Sequence, residues 1–147
     1  MSREFGPRFT PRADRELFIL PLAIGAADID ENGHVNNVVY VRWLQEAGTA
    51  HWNARFTPDE RAPWSWVALR HEIDYFRALL PGDAAQARTW VGEAEGARFD
   101  RFVRIEGREG LYAQGRTTWC LVKAQTMRPA RIPDEMVQRL AARAPAD

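Results

Sequence analysis

Asp28-Ile29-Asp30-Glu31-Asn32-Gly33-His34-Val35-Asn36-Asn37, running without a proline into Val38-Val39-Tyr40-Val41-Arg42-Trp43-Leu44-Gln45-Glu46-Ala47-Gly48-Thr49-Ala50-His51-Trp52, is the stretch whose reading decides the fold. Its first ten residues crowd carboxylates, amides and an imidazole together. In the second part Tyr40, Val41, Leu44, Ala47, Gly48, His51 and Trp52 recur at three- and four-residue steps, the spacing of an amphipathic helix. Val38, Val39 and Trp43 lie off that stripe, so apolar material covers more than one face and the helix is expected to be wrapped by other structure. Asn36 or Asn37 serves as its N-cap, a short amide accepting from the free N–H groups of the first turn. Those N–H groups and the positive end of the helix dipole attract negative charge, including charge developing on a carbonyl oxygen. Gly33 supplies backbone angles closed to other residues and lets a ligand approach the main chain. Asp30 therefore shares one small space with a carbonyl-polarising helix end.

Outward from this stretch the pattern turns to strands. On the N-terminal side, residues 1–16 carry four Arg, two Pro and a Gly with no apolar period and read as a loose arm. Leu17 to Ile24 is apolar enough for a strand, and Pro21, which donates no ladder hydrogen bond, assigns it to a sheet edge or a bulge. On the C-terminal side, Trp64 to Leu79 alternates. Val67, Leu69, His71, Ile73 and Tyr75 fall on one side, with Trp66, Ala68, Arg70, Glu72 and Asp74 on the other. Pro81-Gly82-Asp83 is a turn, Ala84 to Glu93 a further strand, and Ala97, Phe99, Val103 and Ile105 mark the next one. Gly107-Arg108-Glu109-Gly110 is a hairpin loop before a last strand from Leu111 to Ala124. A short helix follows from Ile132 to Leu140. The expected fold is α+β, a single domain over residues 17–147: an antiparallel sheet of about five strands around one long helix, its last four strands in a meander. Such a sheet leaves two edges unpaired, and pairing two sheets edge to edge predicts a homo-oligomer, dimer or tetramer.

Composition narrows the partners. The 147 residues are 46% hydrophobic and 27% charged with zero net charge, which suits a compact domain and gives no reason for nucleic-acid binding. All but one of the 20 basic residues are Arg, Lys123 being the exception. The single Cys120 has no disulfide partner in the chain, and no apolar run is long enough for a signal peptide or membrane span. Together these predict a cytoplasmic, reducing location. His34, His51 and His71 lack metal-ligand spacing, so no metal is expected.

The pattern Asp30-x-Asn32-x-His34-Val35-Asn36-Asn37-x-x-Tyr40-x-x-Trp43-x-x-Glu46-Ala47, followed by strands only, resembles the hotdog-fold acyl-CoA thioesterases of the 4-hydroxybenzoyl-CoA thioesterase group. Within it the chain looks closest to the branch containing bacterial long-chain acyl-CoA thioesterases and plant acyl-ACP thioesterases. The resemblance implies hydrolysis of an acyl-CoA or acyl-ACP thioester at a subunit interface, with no cofactor beyond the coenzyme A of the substrate. It places the catalytic carboxylate on Asp30, which either attacks the carbonyl or activates water. In the plant branch the Asn and His of the motif also contribute, and these fall on Asn32 and His34; on their chemistry Asn32 would position water, and His34 would bind the thioester oxygen, orient Asp30 or protonate the leaving thiolate. The plant branch adds a Glu-Cys pair where this chain has Ala78-Leu79, so that mechanism is incomplete here. Another branch uses a helix Glu. Glu46 is the corresponding candidate, in a supporting role, although Arg42 lies four residues before it at ion-pair distance. Gly33, Val35, Asn36, Asn37 and Tyr40 are the expected substrate-binding residues, and Asp28 a turn residue. For the coenzyme A phosphates the candidates are Arg70, Arg128 and Arg131. Each site residue also has a plain structural use: Asp30 in an Asx turn, His34 pinning the loop, Asn36 or Asn37 capping the helix. Two rival readings remain. A hotdog enoyl-CoA hydratase would show Asp-x-Asn-Pro-x-His, a spacing this chain does not keep. A non-catalytic acyl-CoA binding protein would bind without turnover.

Overall fold

The computed structural model describes residues 9–12 and 15–141. Its elements in chain order are strand β1 (Phe18–Leu22), helix α1 (Asn37–Arg55), a single-turn helix α2 (Pro58–Arg61), strands β2 (Trp64–Tyr75), β3 (Ala85–Glu95), β4 (Arg98–Gly107) and β5 (Gly110–Lys123), and helix α3 (Asp134–Ala141). The five strands form one antiparallel sheet in the order β1-β3-β4-β5-β2. Pro21 sits in β1, at a sheet edge, opposite Gln86. No helix among the described residues is long and apolar enough to cross a membrane.

The expected four-strand meander is corrected. Only β3, β4 and β5 follow one another across the sheet, while β2 pairs with β5 and forms the far edge. Pro81-Gly82-Asp83 does turn the chain, with Gly82 at φ 84° and the Asp83 N–H donating to the Leu80 carbonyl at 3.1 Å. Turn chemistry fixes a reversal but not its partner strand. Here Leu79 is fully buried in the core and its carbonyl accepts the Val35 N–H at 2.9 Å, so residues 76–84 cross over the loop that precedes α1 instead of folding β3 back onto β2.

The strict alternation expected for β2 is corrected as well. The register against β5 shifts between Ala68 and Arg70, leaving Leu69 as an extra residue that is 48% exposed. A one-residue bulge moves every later side chain to the other phase. Trp66 opposite Leu121 and Ile73 opposite Gly115 consequently lie on the same face, although the sequence alternation puts them on opposite sides. That face meets α1, because a Cβ built on Gly115 would fall 2.6 Å from Leu44 Cδ2.

Tyr40, Trp43, Leu44 and Ala47 of α1 are buried against Val103, Ile105 and Ala113 of the sheet, with Leu79 closing the cluster. The burial of Trp43 to 1% exposure shows that the residue off the main stripe also meets protein. Each such large apolar side chain contributes on the order of 1.5–3 kcal/mol. A second cluster joins Phe56, Phe99, Leu121, Ile132, Met136 and Leu140, tying α3 to the other end of the sheet. Of the expected N-terminal arm, residues 1–8, 13 and 14 lie outside the described residues. The Phe9 ring lies tilted 4.9 Å from Phe102, its carbonyl accepts from Arg104, and Glu16 pairs with Arg55.

Candidate active site

The loop before α1 is built by its own backbone. Ala26–Asp28 makes one 3₁₀ turn, closed by the Gly25 N–H donating to Asp28 Oδ2 at 2.8 Å. Asp28 also takes a 3.0 Å hydrogen bond from Arg42. That bond, then the Gly25 N–H, holds its carboxyl below the usual range despite burial. Asp28 is thus a turn residue, as its position suggested.

From Ile29 to Val35 the chain makes a miniature hairpin. Ile29 and Val35 form a bridge, the Asp30 N–H donates to the His34 carbonyl at 2.8 Å, and the Gly33 N–H donates to the Asp30 carbonyl at 3.0 Å. Gly33 stands at φ 78°, the left-handed position such three-residue loops require. Open space surrounds it, so its use is the turn. Asp30 Oδ1 accepts the N–H of Asn32 at 2.9 Å and that of His34 at 3.4 Å. Two main-chain donors hold one carboxylate oxygen and leave Oδ2 for a ligand or water. The alternatives at the helix start are resolved: Asn36 is the cap, its Oδ1 accepting the Val38 N–H at 3.0 Å, and Asn37 is the first helical residue.

These residues surround a cavity of about 420 Å³. Asp30, Asn32, His34, Val35, Asn36, Asn37 and Tyr40 line it, so the fold brings most of the sequence-nominated residues together. Gly33 is not among the lining residues. Glu46 lies outside too, bonded to Arg42 Nε at 3.2 Å on the exposed face of α1. Tyr75, Phe76, Arg77 and Ala78 complete the wall. Tyr75 donates to the Asn37 carbonyl at 3.2 Å, and its ring meets Tyr40 edge-on at 5.2 Å. Burial raises the pKa of both phenols, keeping them neutral donors. The sequence reading did not nominate Tyr75, Phe76 and Arg77. Tyr75 ends β2 and Phe76 and Arg77 follow it, and only the crossover brings these two over the start of α1. Arg77, paired with Glu109 at 2.8 Å, is the cation at this cavity, whereas Arg70, Arg128 and Arg131 are not in its lining. Ala78 lines the cavity without an acid, and Leu79 is core. Among the described residues no group of three His, Cys, Asp or Glu side chains is placed to hold a metal.

A five-stranded antiparallel sheet with a 19-residue helix, carrying a loop carboxylate at the helix start, defines an α+β protein that matches hotdog thioesterase structures. The chain belongs to the thioesterase-like superfamily, whose family model matches residues 24–140. Among solved structures, a predicted thioesterase from Bacillus stearothermophilus is 25% identical and superposes with a TM-score of 0.76, covering 89% of this chain and 100% of that one. A Staphylococcus aureus protein solved in complex with CoA is 16% identical, with a TM-score of 0.75 over 88% of this chain and 85% of its own. A 1,4-dihydroxy-2-naphthoyl-CoA thioesterase from Synechocystis is 18% identical, with a TM-score of 0.73 over 85% and 96%. No curated protein matches the sequence. Family and fold together support thioester hydrolysis as the general chemistry.

Proposed function

We propose that this protein hydrolyses an acyl-CoA thioester to a free acid and coenzyme A, with Asp30 as the reacting carboxylate. The observation that carries this reading is the placement of Asp30. Its carboxylate is anchored by the main-chain N–H groups of Asn32 and His34 and shares one cavity with the first turn of α1. A thioester carbonyl directed at that turn would have its developing negative charge met by the positive end of the helix dipole. Asp30 then either attacks the carbonyl carbon, giving a mixed anhydride that water hydrolyses to release the acid and restore the carboxylate, or removes a proton from the water that attacks. The C–S bond breaks, and the thiolate takes a proton from water or His34. No other cofactor is required. Arg77 is the residue we assign to an anionic part of the substrate, and Tyr75 and Tyr40 to packing of the acyl portion. The likeness to a structure holding CoA supports a coenzyme A ester over a carrier-protein ester.

We also infer that two copies associate through the exposed edge of β2. The strand is 12 residues long and displays Leu69 and Tyr75 at 48% and 43% exposure, an edge that soluble proteins cover.

The test is thiol release from short, medium, long and aromatic acyl-CoA esters by wild type and Asp30→Asn. A fall in kcat of about 10²–10⁴-fold with unchanged circular dichroism supports the assignment. Hydrolysis untouched by the substitution removes Asp30 from the chemistry. No thiol release from any ester, with hydration of a 2-enoyl-CoA instead, would replace hydrolysis by the hydratase reading. Binding without either reaction would leave an acyl-CoA binding protein.

A further inference from the structure

A second cavity, of about 450 Å³, lies between the second half of α1 and the inner face of β2 and β5, and shares no lining residue with the Asp30 cavity. Its walls are aromatic: Trp52, Trp64, Trp66, Phe99 and Trp119. Arg101 also lines it, although this residue is only 2% exposed. On β4 it stands in the inward phase, between Phe99 and Val103, where the strand elsewhere buries apolar side chains.

Among the described residues the Arg101 guanidinium has no carboxylate partner. Nη1 hydrogen-bonds to His51 Nδ1 at 3.1 Å and donates to Thr89 Oγ1 at 3.0 Å. Both are neutral groups, since burial and the nearby Arg101 and Arg55 push the His51 pKa down to about 2. Burial also brings the Arg101 pKa down to about 9, still protonated at neutral pH. A buried cation left without an anion is unfavourable by several kcal/mol unless one is supplied. Its stem is held in place beneath Gly48, where a Cβ would come within 3.3 Å of Arg101 Cδ and Nε. The indole N–H of Trp119 is a further buried donor without a partner at the same wall. A fixed guanidinium at a wall of an aromatic slot matches one ligand chemistry, a flat apolar body ending in a carboxylate, which a guanidinium binds in bidentate fashion.

We propose that this cavity is a binding site for an aromatic carboxylate, with Arg101 receiving the carboxylate and the Trp and Phe rings holding the aromatic body. The site requires no turnover at Asp30, so it is tested by binding alone and is independent of the hydrolysis reading.

Isothermal titration of wild type with biphenyl-4-carboxylate and with biphenyl-4-carboxamide isolates the charge. The carboxylate is expected to bind about tenfold or more tighter than the amide, the size of a charged hydrogen bond. Arg101→Met is expected to erase that preference while retaining the amide. Thr49→Trp, on the exposed face of α1 at the cavity wall, is expected to weaken both ligands. Equal binding of acid and amide by wild type, no binding of either, or a preference that survives Arg101→Met would overturn the proposal. Should Arg101→Met not fold, the wild-type acid-to-amide ratio and the loss in Thr49→Trp decide the matter.

Discussion

The two cavities flank the same helix and are built by opposite means. At the start of α1 a loop arranges Asp30 through main-chain hydrogen bonds, and the polar groups there come from one short run of sequence, from Tyr75 at the end of β2 and from the crossover that covers it. Farther along α1 the cavity is made from secondary structure, and its one charged group reaches it from β4, in the middle of the sheet. The first arrangement places a partly exposed carboxylate beside a helix start, which suits a reaction with water. The second buries a cation among rings, which suits recognition of a charge that arrives with a ligand. A carboxylate on an exposed loop and a buried cation in a slot built from secondary structure are thus separated within one small domain.

The largest way to sharpen that contrast is at Asp30. Asp30→Asn keeps the Oδ1 acceptor for the Asn32 and His34 N–H groups, so the loop should persist while turnover falls by the two to four orders of magnitude expected for a lost general base. A parallel loss of thermal stability would show that the carboxylate was holding the loop instead.

The next effect belongs to the Arg101 side. His51 is fully buried, stacks on Phe18 at 4.9 Å, and titrates near 2 because burial first, and then Arg101 and Arg55, oppose its protonation. Its folded pKa lies below the unfolded value of 6.5. The neutral imidazole therefore contributes stability that is fully present above pH 6.5 and is lost as the pH falls from there toward 2. Between pH 6.5 and 4.5 this one group should lower the unfolding free energy by about 2–3 kcal/mol. Urea unfolding across that window, with His51→Gln alongside, checks it. The substitution should flatten the acid slope, and an unchanged slope would place the acid sensitivity elsewhere.

The loop side was largely legible because its information is local. Asp30, Gly33, Asn36 and the helix register are all fixed by neighbours within a few residues, and the spacing of polar groups displays them. The place of Phe76 and Arg77 was not legible, since it depends on where residues 76–84 cross, a decision made by the burial of Leu79. Arg101 left a trace that a strand reading can use. It falls in phase with Phe99, Val103 and Ile105, and a charged residue at an inward position asks for a partner. The bulge at Leu69 left no such trace. Alternation across β2 looks continuous in sequence, and only the pairing with β5 shows the slipped phase that points Trp66 and Ile73 to the same side.

A smaller effect tests how far the helix start belongs to the loop. Asn36→Ala removes the acceptor of the Val38 N–H and should cost about 1 kcal/mol of stability, read as a lowered Tm. The Asn36 main chain also donates to the Asp28 carbonyl at 2.8 Å, a bond the substitution leaves in place. Activity should fall only as far as the first turn frays. A loss of turnover with no change in Tm would make the Asn36 amide a substrate contact.

The smallest expected effect is at Glu46, and it bears most directly on which carboxylate the site uses. Its side chain is half exposed, bonded to Arg42, and turned away from both cavities. The pair is of the less favourable Arg-to-Glu order, and solvent screens it, so Glu46→Gln should change stability by no more than about 0.5 kcal/mol. Arg42 keeps its bond to Asp28, so the 3₁₀ turn and the hairpin behind Asp30 remain supported. Turnover should accordingly stay close to wild type in the same assay that registers the loss at Asp30. If Glu46→Gln instead abolishes hydrolysis while Asp30→Asn spares it, the reacting carboxylate lies on the helix face. That face would then have to meet the substrate through a second copy of the chain, since within one chain Glu46 lines neither cavity.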